Sequence, residues 1–329
     1  MNSSLIAESN ITDSPISALY RQSLSLLSSS VVLSLAVSIV ASVGVVTNIL
    51  VLLVIAKTKE LHNKSQFVIF SHSVAESLYA FSTFVQNFRK FLYAVTKTPD
   101  VLPQLDCLFL QIPLVVTSSA TMWAILALCI DRLAAVAIPI RYKLFDTCKY
   151  ITAINLLCWG CNLVHGFFIF LSYSPGTLLP MCQYTLAVNP NYRSESTIKG
   201  NITAGITIFA YVTAILTVLY RYLGKKWEDQ TQRSSWARKV QLHAFKVMMT
   251  VGCVYLVCWG AGTGMNFVLV WFVSPAKGAI FAPYVALALN LNTSSNFFIY
   301  LTMSKSFRVA FNKIFSCNKS THVETIASC

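Results

Sequence analysis

The sequence predicts an all-α membrane protein: a bundle of seven membrane-crossing helices, with a short amphipathic helix after the seventh. Three observations predict it. Of 329 residues, 55% are apolar and only 11% charged, against roughly 25% charged in an average soluble domain, so a bilayer is the natural solvent. Seven apolar stretches can be marked, each near the roughly 20 residues that a helix needs to cross the hydrocarbon core. The basic residues, which bring the net charge to +13, sit in short segments between those stretches. No basic stripe with interleaved aromatics appears, so no nucleic acid is expected as a partner.

The first stretch, Val31 to Ala56, is free of charge over 26 residues and would run about 39 Å at 1.5 Å per residue. The second, roughly Gln66 to Phe88, is weaker because it carries His72 and Glu76. The others run from about Leu105 to Val136, Tyr150 to Tyr173, Asn201 to Leu223, Leu242 to Phe272 and Ala279 to Met303. Short connections make this one bundle over residues 31–303, with no second domain and no internal repeat. Residues 1–30 read as an extracellular segment, polar, Ser-rich and without a signal-peptide layout. The first helix is then its own insertion signal. Residues 304–329 read as an amphipathic helix and cytoplasmic tail, since Phe307, Phe311 and Phe315 recur every four residues with Arg308 and Lys313 between them. Such a helix lies on the inner leaflet, with membrane lipid as its partner. Cys317 just beyond it is a candidate for palmitoylation.

With the N-terminus outside, 18 of the 25 Lys and Arg residues fall in inner segments. A bias of that size in short loops sets orientation by the positive-inside rule. The expected location is therefore the plasma membrane, multi-pass, with the C-terminus cytoplasmic. Asn2 and Asn10 open glycosylation sequons in the outer segment, whereas those at Asn63 and Asn318 fall inside and are expected to be silent. Of ten cysteines, only Cys107 and Cys182 reach the oxidising side, where two thiols are expected to pair. The alternative is two unrelated free thiols.

Polar residues inside the apolar stretches are the candidate functional ones, because each is costly in hydrocarbon unless it faces partners or a cavity. Gly44-Val-Val-Thr-Asn48 places an Asn in the first helix and Ser73-Val-Ala-Glu76 a carboxylate in the second. The third ends with Asp131-Arg132-Leu133, 25 residues after Cys107, followed by Ala137-Ile-Pro-Ile-Arg-Tyr142. Trp159 lies in the fourth and Phe209 and Tyr220 in the fifth. Tyr255 and Cys258-Trp259 lie in the sixth, and the seventh closes on Asn296-Phe-Phe-Ile-Tyr300. Singly, each aromatic is more often simple packing, an Asn can be mere helix-helix glue, and an Arg at a membrane edge can merely snorkel. Together, in order and at these spacings, they say more.

From Gly44 to about Phe315 the chain resembles a rhodopsin-like G-protein-coupled receptor, and in detail the nematode serpentine chemoreceptors of the srsx type. The resemblance implies that Asp131, Arg132, Tyr220 and Tyr300 form the switch toward a heterotrimeric G protein. Arg132 is held by its neighbouring carboxylate, and the two tyrosines swing inward beside it on activation. It implies that Asn48 bonds across to the second and seventh helices. It also implies that Glu76, standing where the family usually has Asp, lies in a cavity able to hold a sodium ion, with Thr121, Asn292 and Asn296 as neighbours. Because Glu is longer by a methylene, the equal alternative is a carboxyl kept neutral by burial. Trp259 is the implied floor of a ligand pocket. Amine receptors of the family carry an Asp seven residues after the Cys; here that position is Leu114, so an amine ligand is not expected. Ser118, Gly262, Thr263, Asn266 and Asn290 make the expected pocket neutral and mildly polar. That suits an external small molecule or, alternatively, a neuropeptide terminus.

The family's prolines in helices five, six and seven are replaced by Val212, Ala261 and Phe297. The run Gly260-Ala-Gly-Thr-Gly264 offers flexibility in their place. A transporter or channel is the remoter alternative, but broken helices in matching halves and a polar pore stripe are both missing from the sequence. Five His and one buried carboxylate make no catalytic set or metal cluster, so an enzyme is not expected.

Overall fold

The computed structural model describes residues 15–223 and 233–315. Helix α1 spans Pro15–Lys57, α2 Lys64–Thr96 and α3 Gln104–Ala137. After the short α4 (Pro139–Leu144), α5 (Thr147–Asn155) runs through a π-helical turn at Leu156–Gly160 into α6 (Cys161–Phe170). A loop carrying the one-turn α7 (Tyr184–Ala187) leads to α8 (Pro190–Leu223). Helices α9 (Arg233–Phe272), α10 (Pro275–Met303) and α11 (Lys305–Phe315) follow. The described residues thus contain seven long helical segments, in the order expected.

Five of them, all but α2 and α10, are long and apolar enough to cross a membrane. Helices α2 and α10 have the length, at 33 and 29 residues. Their hydropathy is lowered by residues that turn inward: His72, Glu76, Asn290, Asn292 and Asn296 are all buried. Packing closes the bundle into a ring, with α2 between α1 and α3, α8 between α3 and α9, and α10 between α9 and α1. Segment α5–α6 lies outside α3. The outer surface is apolar, as Val32, Leu163, Phe167 and Val257 illustrate. A water-soluble fold would not leave such a surface uncovered; a lipid-facing one does.

Local chemistry explains the ends. Asn63 Oδ1 accepts from Gln66 N at 3.1 Å and Asp146 Oδ1 from Lys149 N at 2.8 Å, capping α2 and α5. Asn63, one of the sequons expected to be silent, is therefore used as a helix cap. Ser304 Oγ accepts from Phe307 N at 3.3 Å at the start of α11, which buries Phe307 and Ala310 against the bundle. Phe311 packs 5.6 Å from Phe297, centroid to centroid, while Phe315 remains exposed.

Four helices run well past the expected bounds: α1, α2 (on to Thr96), α8 (from Pro190) and α9 (from Arg233). Helix α1 begins at Pro15, well ahead of Val31, because the Ser-rich segment contains no breaker and buries Leu26 and Leu27 against Met181. Helix α9 continues unbroken through Gly260–Gly264. Of those glycines only Gly262 is required by packing: a Cβ there would come within 2.9 Å of Leu289 Cδ2, whereas at Gly260 and Gly264 it would meet open space. Asn2, Asn10 and Cys317 lie outside the described residues.

Candidate functional site

At the outer end, Cys107 at the head of α3 is joined to Cys182 by a disulfide. The loop after α6 is thereby drawn over the bundle, and its strand β2 (Leu178–Leu179) pairs antiparallel with β1 (Leu102–Pro103). Asp100 organises the junction. Its buried carboxylate accepts from Arg89 Nη2 at 2.6 and 2.8 Å and from Cys182 N at 3.3 Å. Its own N–H donates to Ser23 Oγ at 2.8 Å. Asp100 thus ties α2 and the disulfide loop through its carboxylate, and the extension of α1 through its backbone N–H.

Beneath this lid lies a cavity of ≈ 220 Å³. Leu114, Ser118, Trp259, Gly262, Thr263 and Asn266 all line it, joined by Tyr79, Met122 and the lid residues Gln183, Tyr184 and Thr185. Among the described residues, none that lines it is Asp, Glu, Lys, Arg or His. Asn290 is not among them. It is buried deeper, with Nδ2 donating to Ala286 O of its own helix at 2.8 Å. The lid residues escaped sequence reasoning because nothing in a loop's composition says that it folds back into the bundle. Trp259 forms the floor, with its indole 5.8 Å from the Tyr255 ring.

In mid-bundle, Asn296 Nδ2 donates to both Glu76 oxygens at 2.9 Å, bridging α2 and α10. Asn48 Nδ2 reaches Gly44 O at 3.0 Å and Thr293 O at 3.1 Å, bridging α1 and α10. Thr121 is buried and donates to Thr117 O at 3.0 Å. His72 Nε2 lies 3.5 Å from Glu76 Oε1 without hydrogen-bond geometry. The Oδ1 atoms of Asn48, Asn292 and Asn296 are buried with no protein partner. Buried polar atoms are rarely left so; the set describes a wet or ion-holding interior. Asn292 Nδ2 and both His72 nitrogens are likewise buried without a partner among the described residues; amide oxygens and a carboxylate are ligand types that hard cations take.

At the inner end Asp131 is fully buried and strongly engaged. Its carboxylate accepts from Ser65 Oγ at 2.6 Å, from Tyr142 OH at 2.7 Å and from Tyr150 OH at 3.1 Å. Arg132 Nε is further off, at 3.8 Å. Burial, then the Asp131 carboxylate, push the Tyr142 phenol up to about 12, so it remains a donor. Lys64 Nζ donates to the carbonyls of Tyr142, at 3.0 Å, and Phe145, fastening the α3–α5 connection to α2. Tyr300 is buried, its hydroxyl unpartnered. Tyr220, expected to swing in beside Arg132 on activation, is 80% exposed on α8 here. The inner face of that helix is instead taken by Tyr211, which is 1% exposed and packs with Cys129, Tyr255 and Trp259. That aromatic cluster joins the cavity floor to the turn of α3 that bears Asp131 and Arg132.

A lidded cavity at one end of a seven-helix bundle, a polar core, and a caged Asp-Arg pair at the other end together define a membrane receptor rather than an enzyme. Residues 41–315 match the family described as serpentine type 7TM GPCR chemoreceptor Srsx. The chain belongs to that family and is a G-protein-coupled receptor. It is similar to the thyrotropin-releasing hormone receptor of Mus musculus, 22% identical over 327 residues, covering 88% of this chain and 80% of that one. It is similar to galanin receptor 2b of Danio rerio at 23% over 314 residues, covering 91% and 80%. With the histamine H2 receptor of Canis lupus familiaris it shares 22% over 221 residues, covering 63% of this chain and 59% of that one.

Proposed function

We propose that this receptor is chemosensory. The outer cavity takes an uncharged external small molecule, and the inner ends of α3, α8, α9 and α10 engage a heterotrimeric G protein. The lining of the cavity carries this reading. With no ionised side chain, it offers hydroxyls, amides and one indole N–H for hydrogen bonds and apolar walls for the rest. A charged ligand would lose its hydration there without a counter-charge. Leu114 stands in that wall, so an ammonium finds no carboxylate. Ligand pressure on Trp259 is passed through Tyr255 and Tyr211 to Cys129 and so to Arg132, a contiguous packed path.

In the same reading all seven long helices cross the plasma membrane, with the N-terminus outside and Arg132 at the cytosol. The distribution of basic residues supports that orientation. The buried oxygens of Asn48, Thr121, Asn292 and Asn296 around Glu76 would hold a sodium ion, which supplies a positive charge between α2 and α10 when bound. A peptide ligand is the second reading, supported by the similarity to receptors named for thyrotropin-releasing hormone and galanin; such a peptide would present a neutral end to Trp259.

The test is guanine-nucleotide exchange in membranes that hold the full chain and a G protein, driven by size-matched neutral, cationic and anionic small molecules. Neutral compounds should evoke exchange that Arg132→Ala abolishes. A panel whose active members all carry a fixed charge would refute the ligand reading, and exchange untouched by Arg132→Ala would refute the switch.

A further inference from the structure

The cavity under the lid does not account for a second recess on the outside of the bundle. A groove of ≈ 360 Å³ lies between α3 and α8, floored by Trp123 and walled by Ile198, Ile202 and Ile206. The three isoleucines are between 43% and 58% exposed, so the groove opens toward lipid rather than into the bundle. Two opposite charges stand in it, Lys199 and Glu195. They are four residues apart on one helix face, the spacing at which Glu and Lys ordinarily pair. Here they do not. The Lys199 ammonium turns to α6 and donates to Asn162 Oδ1 at 3.1 Å. Glu195 makes no ion pair among the described residues. An ammonium has three donors, so two N–H groups of Lys199 remain for something in the groove.

The order of the charges says what fits. The apolar stretch of this helix opens at Asn201, so Lys199 sits at the edge of the hydrocarbon. Glu195 lies about 6 Å further toward the lid, at 1.5 Å per residue. Read from the membrane outward, the groove presents apolar wall, cation, then anion. A zwitterionic phospholipid in a leaflet presents acyl chain, phosphate, then quaternary ammonium. The two sequences of charge are complementary, step for step. A fatty-acid carboxylate or an anionic glycerophospholipid satisfies Lys199 but leaves Glu195 facing like charge or nothing.

We propose that the groove between α3 and α8 is a binding site for one zwitterionic phospholipid. Its phosphate meets Lys199, its ammonium meets Glu195, and one acyl chain lies along Ile198, Ile202 and Ile206 over Trp123. This rests on α8 crossing a membrane, and on neither the ligand nor the G-protein reading.

Native mass spectrometry of the full chain, purified in mild detergent and offered equal amounts of dioleoylphosphatidylcholine, dioleoylphosphatidylglycerol and oleic acid, tests it. Phosphatidylcholine adducts should dominate. Lys199→Gln and Glu195→Gln should each lower them about threefold, the scale of a partly exposed ion pair, and Glu195→Gln should move the preference toward phosphatidylglycerol. Ile202→Trp, which fills the groove and leaves both charges in place, should also remove the adduct; it decides the matter if Lys199→Gln fails to fold. Wild-type preference for phosphatidylglycerol or oleate, or phosphatidylcholine retention unchanged by Ile202→Trp, overturns the proposal. The measurement does not depend on which end of the chain faces the cytosol; epitope tags on both ends, probed on intact cells, test that separately.

Discussion

Truncating Arg89 to Ala removes both strong donors from Asp100 and leaves its carboxylate buried with one longer bond, from Cys182 N at 3.3 Å. Breaking a buried ion pair by removing one partner costs about 3–5 kcal/mol. The side chain of Arg89 is 23% exposed while that of Asp100 is 0% exposed. Water therefore enters where the guanidinium stood, and the lower end, about 3 kcal/mol, applies. Asp100→Asn should cost less, about 1–2 kcal/mol, because an amide still accepts from Arg89 and the released guanidinium reaches water. Both changes remove the same ion pair but strand different partners, so their inequality tests where the burial lies. The chain supplies its own reporter: Cys129 and Cys158 are buried thiols that unfolding exposes, while Cys148, exposed in the first turn of α5, reacts from the start and gives the baseline. In a thermal ramp with a thiol-reactive fluorophore, Arg89→Ala should lower the midpoint by on the order of 5 °C, and Asp100→Asn by about half as much. Equal shifts, or a larger one for Asp100→Asn, would refute the account of Asp100 as the buried member.

Three further outcomes follow from other contacts. Asp131→Asn weakens the bonds from Ser65, Tyr142 and Tyr150, and ligand-independent nucleotide exchange should rise several-fold; Tyr142→Phe removes one bond, worth about 1 kcal/mol, and should raise it less. A Cβ at Gly252 would lie 2.7 Å from the Tyr211 ring, so Gly252→Ala should force α9 from α8 at about 1–3 kcal/mol, and Tyr211→Leu should restore thermal stability. The disulfide closes a loop across a separation of 75 residues, and Cys182→Ser should cost about 2–5 kcal/mol, read as a lower unfolding midpoint and lost surface expression.

Much of the bundle was legible because hydrocarbon imposes one rule, a long apolar helix, which five of the seven long segments obey outright while α2 and α10 depart from it through residues that turn inward. The disulfide was legible because the positive-inside reading left Cys107 and Cys182 as the two cysteines expected on one side, and the structure joins them. Side-chain direction was harder. Tyr211 and Tyr220 are nine residues apart, which at 3.6 residues per turn puts them on opposite faces. Both faces of α8 are apolar, one toward lipid and one toward protein, so periodicity could not choose between them. The resemblance named Tyr220 for the activated state and gave no sign of Tyr211, which this structure buries on the opposite face. The cage around Asp131 draws Ser65 and Tyr150 from other helices, and local sequence carries no sign of such meetings. The outward extension of α1 was hidden because serine is a middling helix former, and its burial of Leu26 and Leu27 depends on a loop more than 150 residues away.

The uncharged lining of the outer cavity has a consequence for how fast this receptor can respond. A site without ionised groups exerts no long-range pull on a neutral visitor, so capture is set by diffusion and docking alone. Ionic strength, which tunes the on-rates of charged ligands many-fold, then has nothing to screen. For the neutral ligand proposed above, the on-rate should then be the same in dilute buffer and at high salt.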